Sequence, residues 1–142
     1  MAKKLEDVFE ALSFFIFPAI VLFLSLFFDF FFNIYQILPW IDIPFHFFGG
    51  FSISYSCFLV LKTFKKRKKS KSISLKFFVI SLVLIVFLMA FFWEVTEFFL
   101  DFYYQTSFFG NLNDGLTDLV MGLFGGISVP FLVLIFRNFD FS

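Results

Sequence analysis

Six residues with carboxylate or imidazole side chains are spaced so that they can meet at one end of a helical protein. Asp42 and His46 are four residues apart, as are Asp114 and Asp118, so each pair can project from one side of a helix. Oxygen-rich ligands suit hard cations such as Mg2+, Ca2+ or Mn2+, and an added imidazole also suits Zn2+ or Fe2+. We therefore predict a divalent metal ion as cofactor, held by these residues: Asp42, His46, Glu94, Glu97, Asp114 and Asp118.

Three acidic residues near the end of the third predicted span form a stripe along one helix face. Glu94, Glu97 and Asp101 fall at positions i, i+3 and i+7, which lie on one face. Glu94 lies about 25 Å along a span that begins at Phe77, which is still inside the hydrocarbon region of a bilayer. An ionised carboxylate at that depth costs at least ~2.5 kcal/mol, so it is expected to face a cavity and serve a function. In an enzyme, Glu94 or Glu97 is the predicted catalytic general base that activates a metal-bound water.

Structural interpretations compete with the metal site at several of these positions. Asp42 precedes Pro44 and is typical of a helix N-cap, and Asn113 or Asp114 can cap the last helix in the same way. His46 can be a packing residue, since a lone histidine is weak evidence for a metal. Capping does not explain the two glutamates of the stripe, because the helix dipole disfavours acids near a C-terminal end.

The elements that must position these residues are membrane-spanning helices. The chain has 142 residues, of which 61% are hydrophobic and 31 are phenylalanine, far more than one soluble core needs. A span needs roughly 20 apolar residues, and long continuous runs exclude the alternating strands of a membrane barrel. The sequence predicts an all-α, polytopic membrane protein with a single four-helix transmembrane domain over residues 1–142. The four predicted spans cover about residues 12–32, 44–64, 77–100 and 116–136.

Basic residues predict the orientation of these spans. Most of them crowd a loop over residues 62–76, which the positive-inside rule places in the cytoplasm. Four spans put both termini on the same side, where Lys3, Lys4 and Arg137 lie. The alternative, a patch for nucleic acid or anionic lipid, is less favoured than a topology signal. We therefore expect a multi-pass protein of the inner (cytoplasmic) cell membrane, with cytoplasmic termini and with the acidic cluster on the outer side.

Small residues predict where the helices pack. Gly49 and Gly50 lie in the second span, and Gly122 and Gly126 form a G-x-x-x-G arrangement in the fourth. Such residues allow close approach of helix backbones. We expect the second and fourth spans to pack tightly against the third, which would bring the acidic segments together.

A family resemblance is carried by motifs in the last three spans. They read Asp42-x3-His46-x2-Gly49-Gly50, then Phe92-Trp93-Glu94-x2-Glu97, then Asn113-Asp114-x3-Asp118-Leu119 with Gly122 following. Over about residues 42–126 the chain resembles the small YjdF-like membrane proteins of bacteria and archaea and, more distantly, the VanZ-like proteins. The resemblance implies a shared site. VanZ-like proteins are associated with glycopeptide resistance, but they typically carry Asp-Glu-x-x-Gln where this chain has Trp93-Glu94-x-x-Glu97.

Two classes of function fit these residues. The leading hypothesis is an outward-facing acidic and histidine pocket that binds a divalent cation or a cationic head group, with metal-dependent chemistry on a lipid-linked cell-envelope substrate. The alternative is a small proton- or cation-coupled transporter, or a partner subunit of a membrane complex without catalysis. The predicted partners are membrane lipids and a lipid-linked or cationic ligand on the outer side. Nucleic acid is not expected, and a homo-oligomer stays an open alternative.

Overall fold

The computed structural model describes residues 2–68, 74–104, 108 and 110–135, and the side chains within 14–63, 74, 76–104, 108 and 110–135. The helices are α1 (Ala2–Phe32), the short α2 (Ile34–Ile37), α3 (Asp42–Lys68), α4 (Leu75–Tyr104) and α5 (Leu112–Ile135), and a 3-10 turn at Pro39–Ile41 precedes α3. The described part of the chain contains no strand. The predicted all-α class is therefore confirmed.

Four helices are long and apolar enough to cross a membrane. Their apolar stretches cover Phe14–Phe32, Pro39–Thr63, Lys76–Tyr104 and Leu112–Ile135. Each overlaps one predicted span, so the count of four spans is confirmed. The protein is thus built as a bundle of four candidate transmembrane helices.

The predicted basic loop is shorter than the sequence indicated. α3 continues to Lys68 and α4 begins at Leu75, so most of the range 62–76 is helical. Lysine and arginine are good helix formers, and nothing before Lys68 stops the helix. Residues 69–73 of this loop, together with Arg137, lie outside the described residues.

The two central helices of the bundle are α3 and α5, which make the most extensive contact. A Cβ atom added to Gly50 would lie 1.9 Å from the backbone oxygen of Gly122, and one added to Gly125 would lie 1.9 Å from the backbone oxygen of Phe47. Only glycine permits this approach, because real Cβ atoms do not come that near a carbonyl oxygen. The expectation that small residues mark packing faces is confirmed, but the tightest contact joins α3 to α5 rather than to α4.

The outer two helices, α1 and α4, flank this pair. α1 packs on α3, whereas α4 packs on α5 and, less extensively, on α3. Gly126 makes room for α4, since a Cβ there would lie 2.7 Å from a methyl carbon of Val86. The three helices that carry the acidic motifs are therefore in mutual contact.

An apolar core fills the bundle between the middle of the helices and the Lys62 end. Its buried members are Phe58, Phe78, Leu82, Val129 and Val133. These residues come from α3, α4 and α5, the three helices that also carry the clustered acidic residues. The three helices therefore pack together through apolar side chains toward the Lys62 end. Among the described side chains, the buried carboxylates and His46 lie at the other end of the bundle.

The start of α5 differs from its predicted cap. The Asn111 side-chain oxygen accepts hydrogen bonds from the backbone N–H groups of Asn113 at 2.9 Å and Asp114 at 3.3 Å. Asn111 is therefore the N-cap, and the prediction of Asn113 or Asp114 was wrong by two or three residues.

The start of α3 also differs from the N-cap interpretation. Asp42 has helical backbone angles, φ −62° and ψ −42°, whereas an N-cap residue is non-helical. The preceding 3-10 turn already directs the chain into the helix, so the Asp42 carboxylate is not needed for capping. Its side chain is left for other contacts.

Candidate metal centre

His46 stands between two carboxylates at the centre of the polar end. It lies one turn into α3, and its Nε2 atom is 3.3 Å from Oδ1 of Asp42, which precedes it by one turn. On the other edge of the ring, Nδ1 is 3.6 Å from Oε1 of Glu94 on α4. The first distance allows a hydrogen bond, whereas the second exceeds hydrogen-bond length. The imidazole is buried, so its orientation is fixed by these neighbours.

Glu94 and Glu97 are buried carboxylates with unused oxygens. They lie one turn apart on α4, with 7% and 5% of their surfaces exposed. Both oxygens of Glu94 and Oε2 of Glu97 make no hydrogen bond to any described residue. The Trp93 side chain hydrogen-bonds to Glu97 and accounts for one partner. Unpaired buried oxygens are costly, so these three atoms need a cation, protons or water.

Asp118 completes the cluster from α5. It lies in the second turn of that helix and is 4% exposed. One ligand atom from each of Asp42, His46 and Asp118 lies within 4.8 Å of the others, and the same holds for His46, Glu94 and Glu97. The two triplets share only His46. Both are compact enough for a metal ion, and together they join three helices.

The charge of the cluster is not balanced by nearby basic groups. Its members are four carboxylates and one imidazole. Among the described side chains, only Lys62 and Lys76 carry lysine or arginine charges. Lys62 lies about 24 Å from His46 along α3, and Lys76 lies about 27 Å from Glu94 along α4. The positive charge that stabilises this site must therefore come from His46 itself, from protons or from a bound cation.

Asp114 is the one predicted metal ligand that the structure keeps apart from both triplets. Its side chain is exposed at the start of α5, and its Oδ2 accepts a hydrogen bond of 2.6 Å from the Asn111 amide. The predicted ligands Asp42, His46, Glu94, Glu97 and Asp118 are brought together.

Two further acids of this end serve the local backbone. Oδ1 of Asp101 accepts a hydrogen bond of 2.8 Å from the backbone N–H of Phe108. Oδ1 of Asp29 accepts a longer one, 3.4 Å, from the backbone N–H of Tyr35 after α1 ends. Of the acidic stripe on α4, only Glu94 and Glu97 belong to the triplets around His46, because the Asp101 carboxylate binds the backbone of the following loop.

Two cavities meet at Asp42. One is a cleft of about 360 Å³ between α1, α3 and α4, with mostly apolar walls. The other is a vestibule of about 280 Å³ lined by the loop before α3 and by the start of α5, including Asp114 and Asp118. Asp42 lines both cavities, and His46 lines the cleft. The cluster can thus be approached from an apolar side and from a polar side.

Three residues that were not predicted as part of the site line its two cavities: Ser25, Tyr35 and Trp93. The hydroxyl groups of Ser25 and Tyr35 are hydrogen-bonded to each other, which ties α1 to the chain before α3. Burial raises the pKa of the Tyr35 phenol above its ordinary value, and the Ser25 hydrogen bond opposes this shift. Tyr35 is therefore a neutral donor or acceptor at physiological pH. In the sequence, the one indication for Ser25 was its spacing of one turn before Asp29, which places both side chains on the same face near the end of the first span.

The chain belongs to the family described as a predicted membrane protein, DUF2238, which matches residues 8–139. The match is compatible with the YjdF-like resemblance, while the VanZ-like resemblance stays a prediction. No curated protein and no solved structure matches the chain. The family establishes a membrane protein, and the site alone carries the argument for its function.

Proposed function

We propose that this membrane protein binds a divalent metal ion in the buried cluster around His46. The observation that carries the proposal is the set of unpartnered oxygens on Glu94 and Glu97, both more than nine-tenths buried. A divalent cation offsets their mutual repulsion and replaces the hydrogen bonds that they lack. The predicted ligand set is thereby narrowed to the residues that lie together.

His46, Glu94 and Glu97 are the proposed direct ligands. In this arrangement Nδ1 of His46 faces the ion, and its Nε2 donates a hydrogen bond to Asp42. A carboxylate on the far nitrogen is the usual way in which proteins orient a metal-binding histidine. Asp118 adds negative charge from α5. One imidazole among carboxylates favours Mn2+, Fe2+ or Zn2+ over Mg2+ and Ca2+.

Hydrolysis of a lipid-linked substrate is the proposed reaction. A divalent metal ion supplies Lewis acidity, which makes water a nucleophile near neutral pH. The oxygen of Glu94 or Glu97 that would not hold the ion takes a proton from the attacking water as general base, and the same carboxylic acid returns that proton to the leaving alcohol as its bond to the substrate breaks. The apolar cleft beside Asp42 supports a substrate with a hydrocarbon portion.

The proposed orientation places the cluster at the outer face of the inner (cytoplasmic) membrane. Lys62 and Lys76 lie at the other end of α3 and α4, next to the basic segment 62–76 that the positive-inside rule assigns to the cytoplasm. The substrate is accordingly proposed to be a component of the outer leaflet or the cell envelope.

Transport of protons or cations is the competing function, and the fold gives it less support. A conduction path needs polar groups through the full thickness of the membrane. Below the cluster the described helices meet in the apolar core around Phe58, Leu82 and Val133. A single copy of the chain therefore favours a site open at one end.

Metal analysis of the purified protein tests the proposal. After dialysis against Mn2+ or Zn2+, the wild type is expected to retain one ion per chain, whereas Glu94→Gln and Glu97→Gln retain little. Asp114→Asn is the matched control, since this acid lies at the same end but outside both triplets. Negligible metal in all four proteins, or equal metal in all four, would contradict the proposal.

A further inference from the structure

The cleft beside the metal centre has an amphipathic lining. Its polar end is formed by Ser25, Asp42 and His46, one from α1 and two from α3. Away from that end the walls are apolar, with residues such as Leu22, Ile53 and Met89. A volume of about 360 Å³ lies within the range of ~300–1,000 Å³ that is typical of small-molecule sites. The lining therefore matches a molecule with one polar end and one hydrocarbon end.

Gly49 supports the cleft as a binding site rather than a packing defect. A Cβ added to Gly50, Gly125 or Gly126 would lie within 3 Å of a neighbouring helix, but a Cβ added to Gly49 would meet nothing within 4 Å. Glycine costs about 0.8–1.0 kcal/mol relative to alanine inside a helix, and at this position no helix contact requires it. Gly49 lines the cleft, so the missing side chain widens it. A glycine at this position is expected if a bound molecule, rather than a side chain, fills the space beside it.

The length of the cleft matches one leaflet of a bilayer. From Asp42 to Ile53 it follows α3 for eleven residues, which is about 16 Å, roughly half of a hydrocarbon core about 30 Å thick. Along α1 it extends from Ser25 to Phe15, which is about 15 Å. It thus runs from the polar end to the middle of the membrane.

We propose that the cleft binds the hydrocarbon tail of a single lipid molecule, whose anionic phosphate head group lies at the Asp42 and His46 end. This deepens the proposed function and rests on it for the head group, because a phosphate needs the bound metal ion to approach these carboxylates. The proposal for the hydrocarbon tail does not depend on the metal ion, because it is supported by the apolar walls of the cleft and by the open space at Gly49. In the described part of the chain α1 and α4 pack on α3 and α5 and make no extensive contact with each other, so the lipid enters sideways from the bilayer between α1 and α4.

Photolabelling tests the tail site directly. The full chain is reconstituted in phosphatidylglycerol vesicles that contain a trace of the same lipid with a diazirine in one acyl chain, and labelled residues are mapped by mass spectrometry. Met89 lines the cleft and Phe124 of α5 does not, but the two side chains are comparably exposed, at 51% and 62%. Wild type is therefore expected to be labelled more strongly at Met89 than at Phe124 only if the cleft holds a lipid tail. Gly49→Leu and Ala19→Leu, which fill the cleft from α3 and α1, should each reduce Met89 labelling about tenfold. Val120→Leu adds bulk on an exposed face and should not change it.

Metal content measured on the same samples separates the two proposals. If Gly49→Leu keeps its Mn2+ but Met89 labelling does not fall, the cleft inference is overturned and the metal centre stands. If no protein binds Mn2+ but the cleft variants still lose the label, the tail site stands and the metal function fails. Equal labelling of Met89 and Phe124 in wild type would show ordinary boundary lipid, and this too overturns the inference.

Discussion

His46 and Glu94 face each other across the contact of α3 and α4, with 3.6 Å between Nδ1 and Oε1. That distance is too long for a hydrogen bond, and both oxygens of Glu94 lack a described partner. The imidazole and the carboxylate therefore lie side by side without a hydrogen bond between them. The proposed metal ion would bind between these two side chains and supply the partner that the Glu94 oxygens lack.

The first prediction separates direct ligands from an orienting residue. Glu97→Gln should abolish Mn2+ binding, because it removes a proposed ligand, whereas Asp42→Asn should weaken it by roughly 10–100-fold, as loss of a supporting hydrogen bond to a ligand does. Equilibrium dialysis over a range of Mn2+ concentrations measures both. Equal loss in the two variants would assign Asp42 to the ion as well.

The second prediction concerns pH. Metal ligands must be deprotonated, so a proton competes with the ion at each of them. Mn2+ should therefore raise the melting temperature of the purified protein more at about pH 8 than at about pH 5. At a concentration of 100 times Kd the stabilisation is expected to be about 2.7 kcal/mol. A Mn2+ effect that is independent of pH would point to binding elsewhere, and Glu94→Gln serves as the variant without the effect.

The third prediction tests the packing of α3 on α5. Gly50→Ala should destabilise the bundle by about 1–3 kcal/mol, because the new methyl group meets the backbone oxygen of Gly122. Gly49→Ala is the matched control one residue away and should be neutral or slightly stabilising, since its methyl group meets open space. Thermal unfolding in detergent measures the difference. Similar melting temperatures for both variants would contradict the close approach of the two helices.

The fourth prediction tests the orientation of the bundle. Cys57 is the only cysteine of the chain, so Cys57→Ser provides a background without a reactive thiol. In that background, a cysteine at Ser74 lies between α3 and α4, and one at Asn111 lies just before α5. A membrane-impermeant maleimide added to intact cells should label Asn111→Cys and leave Ser74→Cys unlabelled until the membrane is opened. The reverse pattern would place the cluster on the cytoplasmic side and remove the argument for an envelope substrate.

Much of the bundle followed from the sequence because hydrocarbon imposes strict requirements on a chain. Long apolar runs predict spans, and the spacing of Glu94 and Glu97 predicts a shared face, which is where both are buried. The depth of Glu94 also gave reason to expect that it faces protein rather than lipid. These inferences depend on one helix at a time.

The rest depended on contacts between helices or on local competition, which spacing does not encode. Asp114 shares a face with Asp118, yet its carboxylate is held by Asn111, because the helix begins one turn earlier than predicted. The spacing of Ser25, one turn before Asp29, placed it near this end of α1, but its contact with Tyr35 and its position in the cleft depend on how α1 packs on α3. The sequence therefore identified the acidic residues of this end. It did not predict which of them cluster around His46 and which bind the local backbone.

The most direct test uses the fact that His46 is the only histidine in the chain. The protein is purified with an affinity tag free of histidine, loaded with one equivalent of Mn2+, and examined by pulsed electron paramagnetic resonance for nitrogen hyperfine coupling. A coordinated imidazole should appear in the wild type and in Asp114→Asn and should be missing in His46→Gln. Bound Mn2+ without imidazole coupling in the wild type, or a signal that survives in His46→Gln, would contradict a metal centre built around His46.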